Sequence, residues 1–161
     1  FAEVVVLVID AAIPFEKQDL QIADLVLREG RALVIAVNKW DAIEDKDTAA
    51  LRIKEAARDH LAQAPGAPLV FLSALTGRNI EKLMPAVISV YIDWNARVKT
   101  HDLNEWLKTA TERHPPPAAR GRRIKLRYIA QTKTRPPTFV AQCTNAPELP
   151  ASYRRLFGRV T

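Results

Sequence analysis

Ala32-Leu33-Val34-Ile35-Ala36-Val37-Asn38-Lys39-Trp40-Asp41 is the stretch whose reading decides the fold. Six apolar residues run without polar alternation and then stop at Asn38, which predicts a strand buried on both faces, as parallel sheets require. Apolar runs at Val4 to Ile9 and Leu69 to Leu72 have the same character. Helical stretches near Gln18 to Glu29 and about Thr48 to Gln63 separate the three runs, and a long helix from about Asn79 to Val98 follows. Strands alternating with helices of this length imply right-handed crossovers and a parallel sheet covered on both sides, an α/β fold.

The helix ends are marked. Thr48 is placed to cap the middle helix, and Pro65 with Gly66 stops it. Leu83, Val87, Val90, Tyr91, Trp94 and Val98 form one apolar stripe along the long helix. Composition then breaks near Lys99 to Asp102. Asp102 and Glu105 have capping-box spacing, and Leu103, Trp106, Leu107 and Ala110 make an amphipathic helix that ends before Pro115-Pro116-Pro117. Beyond it the period becomes two: Ile124, Leu126, Tyr128 and Ala130 alternate with Arg123, Lys125 and Arg127, and Phe139, Ala141 and Cys143 alternate with Val140 and Gln142. A short helix is expected near Pro150, cut off around Thr161. Residues 1–98 thus read as one α/β unit and 99–161 as a small α+β module, incomplete at its end.

Charge separates the two parts. Residues 1–96 hold 10 Lys and Arg against 14 Asp and Glu, whereas residues 97–161 hold 14 against 4. Within the second part Arg120, Arg122, Arg123, Lys125 and Arg127 cluster where one strand begins, with Lys133 and Arg135 on the turn to the next. Few acids balance them, so a polyanionic partner is expected there, RNA above all. The chain of 161 residues is 48% hydrophobic and 26% charged, an ordinary globular composition. Its apolar runs fall far short of the roughly 20 residues that span a bilayer. Cys143, the sole cysteine, excludes an internal disulfide and fits a reducing, cytoplasmic setting. The chain opens on Phe1 and runs straight into a core-type strand, which suggests a piece of something longer.

The chemistry gathers at the carboxyl ends of the second and third strands, the edge where open α/β sheets bind ligands. There Asn38-Lys39-Trp40-Asp41 faces Ser73-Ala74-Leu75. An ionised Asp41 can accept two hydrogen bonds from the ring N–H and exocyclic amine of guanine; adenine would direct a lone pair at the same carboxylate. Sites built on such paired polar groups discriminate by about 10⁴ to 10⁵. Asn38 can pin the loop, the stem of Lys39 can cover one face of the purine, and the Ala74 N–H can donate to the guanine carbonyl. Asn38, Lys39, Asp41, Ser73, Ala74 and Leu75 are the expected base site. No catalytic residue and no metal ligand is expected in this chain.

At these residues the sequence resembles the TRAFAC GTPases, whose base-reading motifs are N-K-x-D and S-A. Ala2 to Ala11, Gln18-Asp19, Gly30 through Asp41, and Phe71 to Gly77 are similar to the second GTPase domain of the Der (EngA) family of bacterial tandem GTPases. His114 to Pro117, Arg123 to Tyr128 and Arg135 to Val140 resemble that family's C-terminal KH-like domain. The resemblance implies part of a P-loop GTPase sheet followed by a KH-like domain. It also implies a protein that binds GTP or GDP with Mg, hydrolyses GTP, engages the large ribosomal subunit and its RNA during ribosome biogenesis, and contacts its own other GTPase domain.

Two family features do not occur. The glycines at 30, 66, 77, 121 and 158 offer no pair spaced as G-x-x-x-x-G-K-[ST], and no D-x-x-G is present. The resemblance places both upstream of Phe1, so this chain alone is expected to be inactive and to hold no nucleotide tightly. Nor is there a G-x-x-G loop of the kind with which KH domains clamp RNA. An Era-like GTPase with a genuine KH domain and a nucleotide-independent RNA- or protein-binding module are the alternatives.

Overall fold

The computed structural model describes residues 2–61, 64, 66–116, 118, 119 and 122–149, with the backbone alone for 119, 122 and 123. The chain divides into two compact units, residues 1–94 and 95–161. In the first, β1 (Val4–Asp10), β2 (Ala32–Asn38) and β3 (Leu69–Phe71) form a parallel sheet in the order β1-β2-β3. The unbroken apolar run of β2 follows from its central place. Leu33, Ile35 and Val37 face a layer made by α1 (Lys17–Arg28) and α2 (Lys46–His60), which contribute Ala23, Val26 and Ile53. Val34 and Ala36 face the other way, against Leu83, Ala86, Val87 and Val90 of α3 (Leu83–Asn95). Each fully buried side chain of this size contributes roughly 1.5–3 kcal/mol, so one strand supports two cores.

Several helix ends depart from the sequence reading. Asp45, not Thr48, caps α2: its carboxylate accepts the Thr48 N–H at 3.1 Å, which makes Thr48 the third residue of the first turn. Pro65 lies outside the described residues. The long helix is interrupted, because Asn79 adopts a left-handed conformation (φ 61°) and a 3₁₀ turn at Ile80–Lys82 precedes α3. Of its expected stripe, Leu83, Val87 and Val90 pack on the sheet, and the Trp94 indole donates to the Gly30 carbonyl at 3.2 Å. Tyr91 is exposed and Val98 lies beyond the helix end; Met84, Ile88 and Ile92 are exposed on the outer side.

In the second unit α4 (Thr100–Arg113) is capped at Lys99, three residues before the expected Asp102, so Asp102 sits inside its first turn and closes no capping box with Glu105. Short strands β4 (Ala118–Ala119) and β5 (Arg122–Arg123) pair antiparallel, as do β6 (Leu126–Lys133) and β7 (Thr138–Cys143). Leu103 and Leu107 of α4 bury against Ile129, Leu126, Phe139 and Ala141. Asn104 joins helix to strand: its side chain donates to the Ile129 carbonyl at 3.0 Å and accepts the Ile129 N–H at 3.1 Å.

The period-two pattern from Ile124 to Ala130 does not hold throughout. Leu126 pairs with Cys143 and Tyr128 with Gln142, leaving Arg127 as the extra residue of a bulge. A bulge shifts the side-chain phase by one. Tyr128 therefore turns outward, 42% exposed, and Ile129 takes the core position at 3%. The free Cys143 is only half-buried. The helix expected near Pro150 lies outside the described residues. Among the described residues no helix is long and apolar enough to cross a membrane.

Candidate guanine-base site

Strand register brings the two expected loops together. Asp10 lies opposite Asn38, and Val37 opposite Phe71. The ladder then continues past β3, where Leu72 N–H donates to the Val37 carbonyl at 2.9 Å and Trp40 N–H to the Leu72 carbonyl at 3.1 Å. Lys39 is left-handed (φ 61°, ψ 31°), which turns the chain into a single 3₁₀ turn, Trp40–Ala42. A non-glycine residue held so costs on the order of 1–2 kcal/mol and needs support from its surroundings. Trp40 supplies it. The indole is 6% exposed and lies against Phe71 with ring centroids 4.5 Å apart, plugging the loop into the core.

Asn38 Oδ1 accepts the backbone N–H of Ala74 at 2.9 Å. Asn38 thus ties its loop to the neighbouring one through the same Ala74 N–H that the sequence reading offers to the guanine carbonyl. Ser73 is fully buried, and its hydroxyl accepts the Thr76 N–H at 3.1 Å. Its own N–H donates to the Arg78 carbonyl at 3.0 Å, while Asn79 Nδ2 donates to the Phe71 carbonyl at 2.9 Å. Gly77, at φ 77°, closes this tight loop where a side chain would be strained. Ser73 therefore shapes the loop from below. Leu75, 88% exposed, presents an apolar surface above it.

Asp41 is exposed at the start of the 3₁₀ turn, and among the described residues its carboxylate has no hydrogen-bond or ionic partner, so both oxygens can accept from a ligand. Lys39 is engaged: its Nζ lies 2.7 Å from Asp10 Oδ2. The hydrogen bond from Lys39, followed by that from the Ala12 N–H, holds the Asp10 carboxyl below its ordinary value. The same bond with Asp10 raises the Lys39 ammonium. Asp10 also serves as the turn residue read from the sequence, its Oδ1 accepting the Ala12 N–H at 2.9 Å. Sequence reasoning missed the Trp40 plug, the Asp10–Lys39 pair and the Asn79 strut. The Ser73-x-x-Thr76 spacing was the one legible signal for the hydroxyl turn.

The basic residues belong to the second unit. Lys125, Arg127, Lys133 and Arg135 are exposed, with Arg127 thrown outward at the bulge. Arg120 lies outside the described residues, as do the side chains of Arg122 and Arg123. Among the described residues no cluster of three or more His, Cys, Asp or Glu could hold a metal ion.

Residues 1–93 match the elongation factor Tu GTP binding domain, and residues 97–159 match the C-terminal KH-domain-like module of EngA bacterial GTPase enzymes. The chain belongs to the EngA (Der) family. Over 155 residues, 96% of this chain, it is 57% identical to GTPase Der of Hyphomonas neptunium and 52% identical to GTPase Der of Mesorhizobium japonicum. It spans 30% and 32% of those two EngA relatives, about a third of their length. The parallel sheet with its helices is thus part of a GTPase domain, and the helix with its β-hairpin is the EngA KH-like domain.

Proposed function

We propose that this chain is the base-reading part of a GTP- and GDP-binding protein of ribosome biogenesis. Asp41 accepts from the guanine ring N–H and amine, Asn38 and Ala74 fix the distance between the two loops that enclose the base, and Leu75 and the Lys39 stem supply its apolar faces. Phosphates and Mg are held by residues outside this chain, where the whole protein performs hydrolysis; the chain alone is inactive and binds nucleotide weakly. The KH-like domain, through Lys125, Arg127, Lys133 and Arg135 together with Arg120, Arg122 and Arg123, contacts RNA of the large ribosomal subunit or another GTPase domain of the same protein. The protein works in the cytoplasm.

One observation supports this reading most directly: the 2.9 Å bond from Ala74 N–H to Asn38 Oδ1, which draws together two loops 36 residues apart beside an exposed Asp41 that has no partner among the described residues. The experiment is a nucleotide preference measured on the full-length protein. Asp41→Asn should move affinity from GDP to XDP, since the amide donates to the xanthine carbonyl where the carboxylate accepted from the amine. An unchanged preference sinks the reading. Co-sedimentation with large ribosomal subunits, with and without a GTP analogue, tests the second part; nucleotide-independent binding would favour a scaffold role.

A further inference from the structure

The base site requires a lysine on a tight turn to lie in one place, although a lysine stem is among the most mobile side chains on a surface. Lys39 is 66% exposed at its side chain, so burial does little to confine it. Its restraint comes from the neighbouring strand. Asp10 ends β1 directly opposite Asn38, and the Ala11 N–H donates to the Asn38 carbonyl at 2.9 Å, so the end of β1 is fastened to the residue preceding the lysine. The Asp10 carboxylate is itself oriented, because Oδ1 is taken by the Ala12 N–H at 2.9 Å. That leaves Oδ2 aimed at Lys39 Nζ, 2.7 Å away, with the Asp10 side chain only 24% exposed.

We propose that Asp10 is a positioning residue for the purine: by holding the Lys39 ammonium from the end of β1, it lays the lysine stem as a fixed ledge against one face of the base. This deepens the base-reading function proposed above and rests on it. The two oxygens of Asp10 divide the work, one shaping the loop that leaves β1 and the other restraining the lysine. Asp10→Asn separates the two, since its amide oxygen still accepts the Ala12 N–H while the attraction for the ammonium is lost. The ledge acts on the flat face that all purines share, so Asp10 contributes affinity without choosing among bases; that choice stays with Asp41.

The test is isothermal titration of the full-length protein with GDP and with XDP, using Asp41→Asn to report any other nucleotide site in the chain. Asp10→Asn should raise the Kd for GDP roughly two- to fivefold, the size of a partly exposed ion pair, with the ratio of GDP to XDP affinity unchanged. The penalty should shrink when salt is raised from about 0.05 to about 0.5 M, because ions screen the pair. In a Lys39→Met background Asp10→Asn should add nothing further. Asp10→Glu, which keeps the charge, should recover part of the loss. Wild-type Kd in Asp10→Asn at low salt overturns the proposal, even if the variant melts at lower temperature, as does a penalty that persists in Lys39→Met or ignores salt. If Asp41→Asn leaves base preference unchanged, the underlying base-reading function fails instead, and the two failures are distinguishable.

Discussion

Asn38 and Ala74, 36 residues apart in sequence, are joined by a hydrogen bond of 2.9 Å from the Ala74 backbone N–H to the Asn38 side-chain oxygen. Each belongs to a loop leaving a different strand, so this bond sets the width between them. Asn38→Ala should cost about 1 kcal/mol of stability, the net value of one such bond. It should weaken guanine nucleotides by a larger factor than stability alone implies. Chemical denaturation and nucleotide titration of the full-length protein check both parts, and an amide resonance of Ala74 that does not move would contradict the assignment.

Trp40 occupies the position of the N-K-x-D motif that specifies no base contact, yet it is buried against Phe71. Trp40→Ala should destabilise the first unit by about 3–5 kcal/mol, as truncations of buried aromatics do. Trp40→Phe keeps most of the contact and should retain folding and binding. Thermal melts and GDP titration of both variants distinguish a core plug from a residue that touches ligand.

The Asp10–Lys39 pair has a defined pH window. Asp10 lies below its ordinary value of 3.8, so its stabilisation is present above that value and is lost as pH falls through the lower folded value. Lys39 lies above its ordinary value of 10.5, so its share is present below that value and is lost as pH rises through the higher folded value. The stability difference between wild type and Asp10→Asn should therefore be flat from about pH 5 to about pH 9 and shrink below about pH 4. Urea titrations across this range provide the check.

In the KH-like domain, Arg127→Ala and Lys133→Ala change exposed cations on β6. If they meet RNA phosphates, each should weaken binding to a structured RNA without altering sequence preference, and should lower the magnitude of the slope of log K against log salt by about 1. Filter binding over a salt series reads both quantities.

The α/β architecture was legible because β2 is apolar at every position, a pattern that a strand with one solvated face does not show. The loop proposed to read the base stood out because Asn38, Lys39 and Asp41 keep a fixed spacing at a strand end. Helix starts were harder to read, since Asp45 and Thr48 are both good caps and only the fold of the preceding loop selects between them. The Arg127 bulge was hidden for a related reason: alternation from Ile124 to Ala130 is consistent with one uninterrupted strand, and the extra residue emerges only when Cys143 and Gln142 are paired across the ladder. The Lys39–Asp10 contact joins residues 29 apart and depends on strand register, which local pattern does not encode.

Asn104 offers β6 one donor and one acceptor, both met by Ile129. These are the groups a further strand would present at that rung. A helix side chain thus stands in for a neighbouring strand and closes the hairpin's open margin at that point, where another extended chain would otherwise add on. Asn104→Leu should keep the helix yet unseal that margin, leaving a surface prone to intermolecular strand addition.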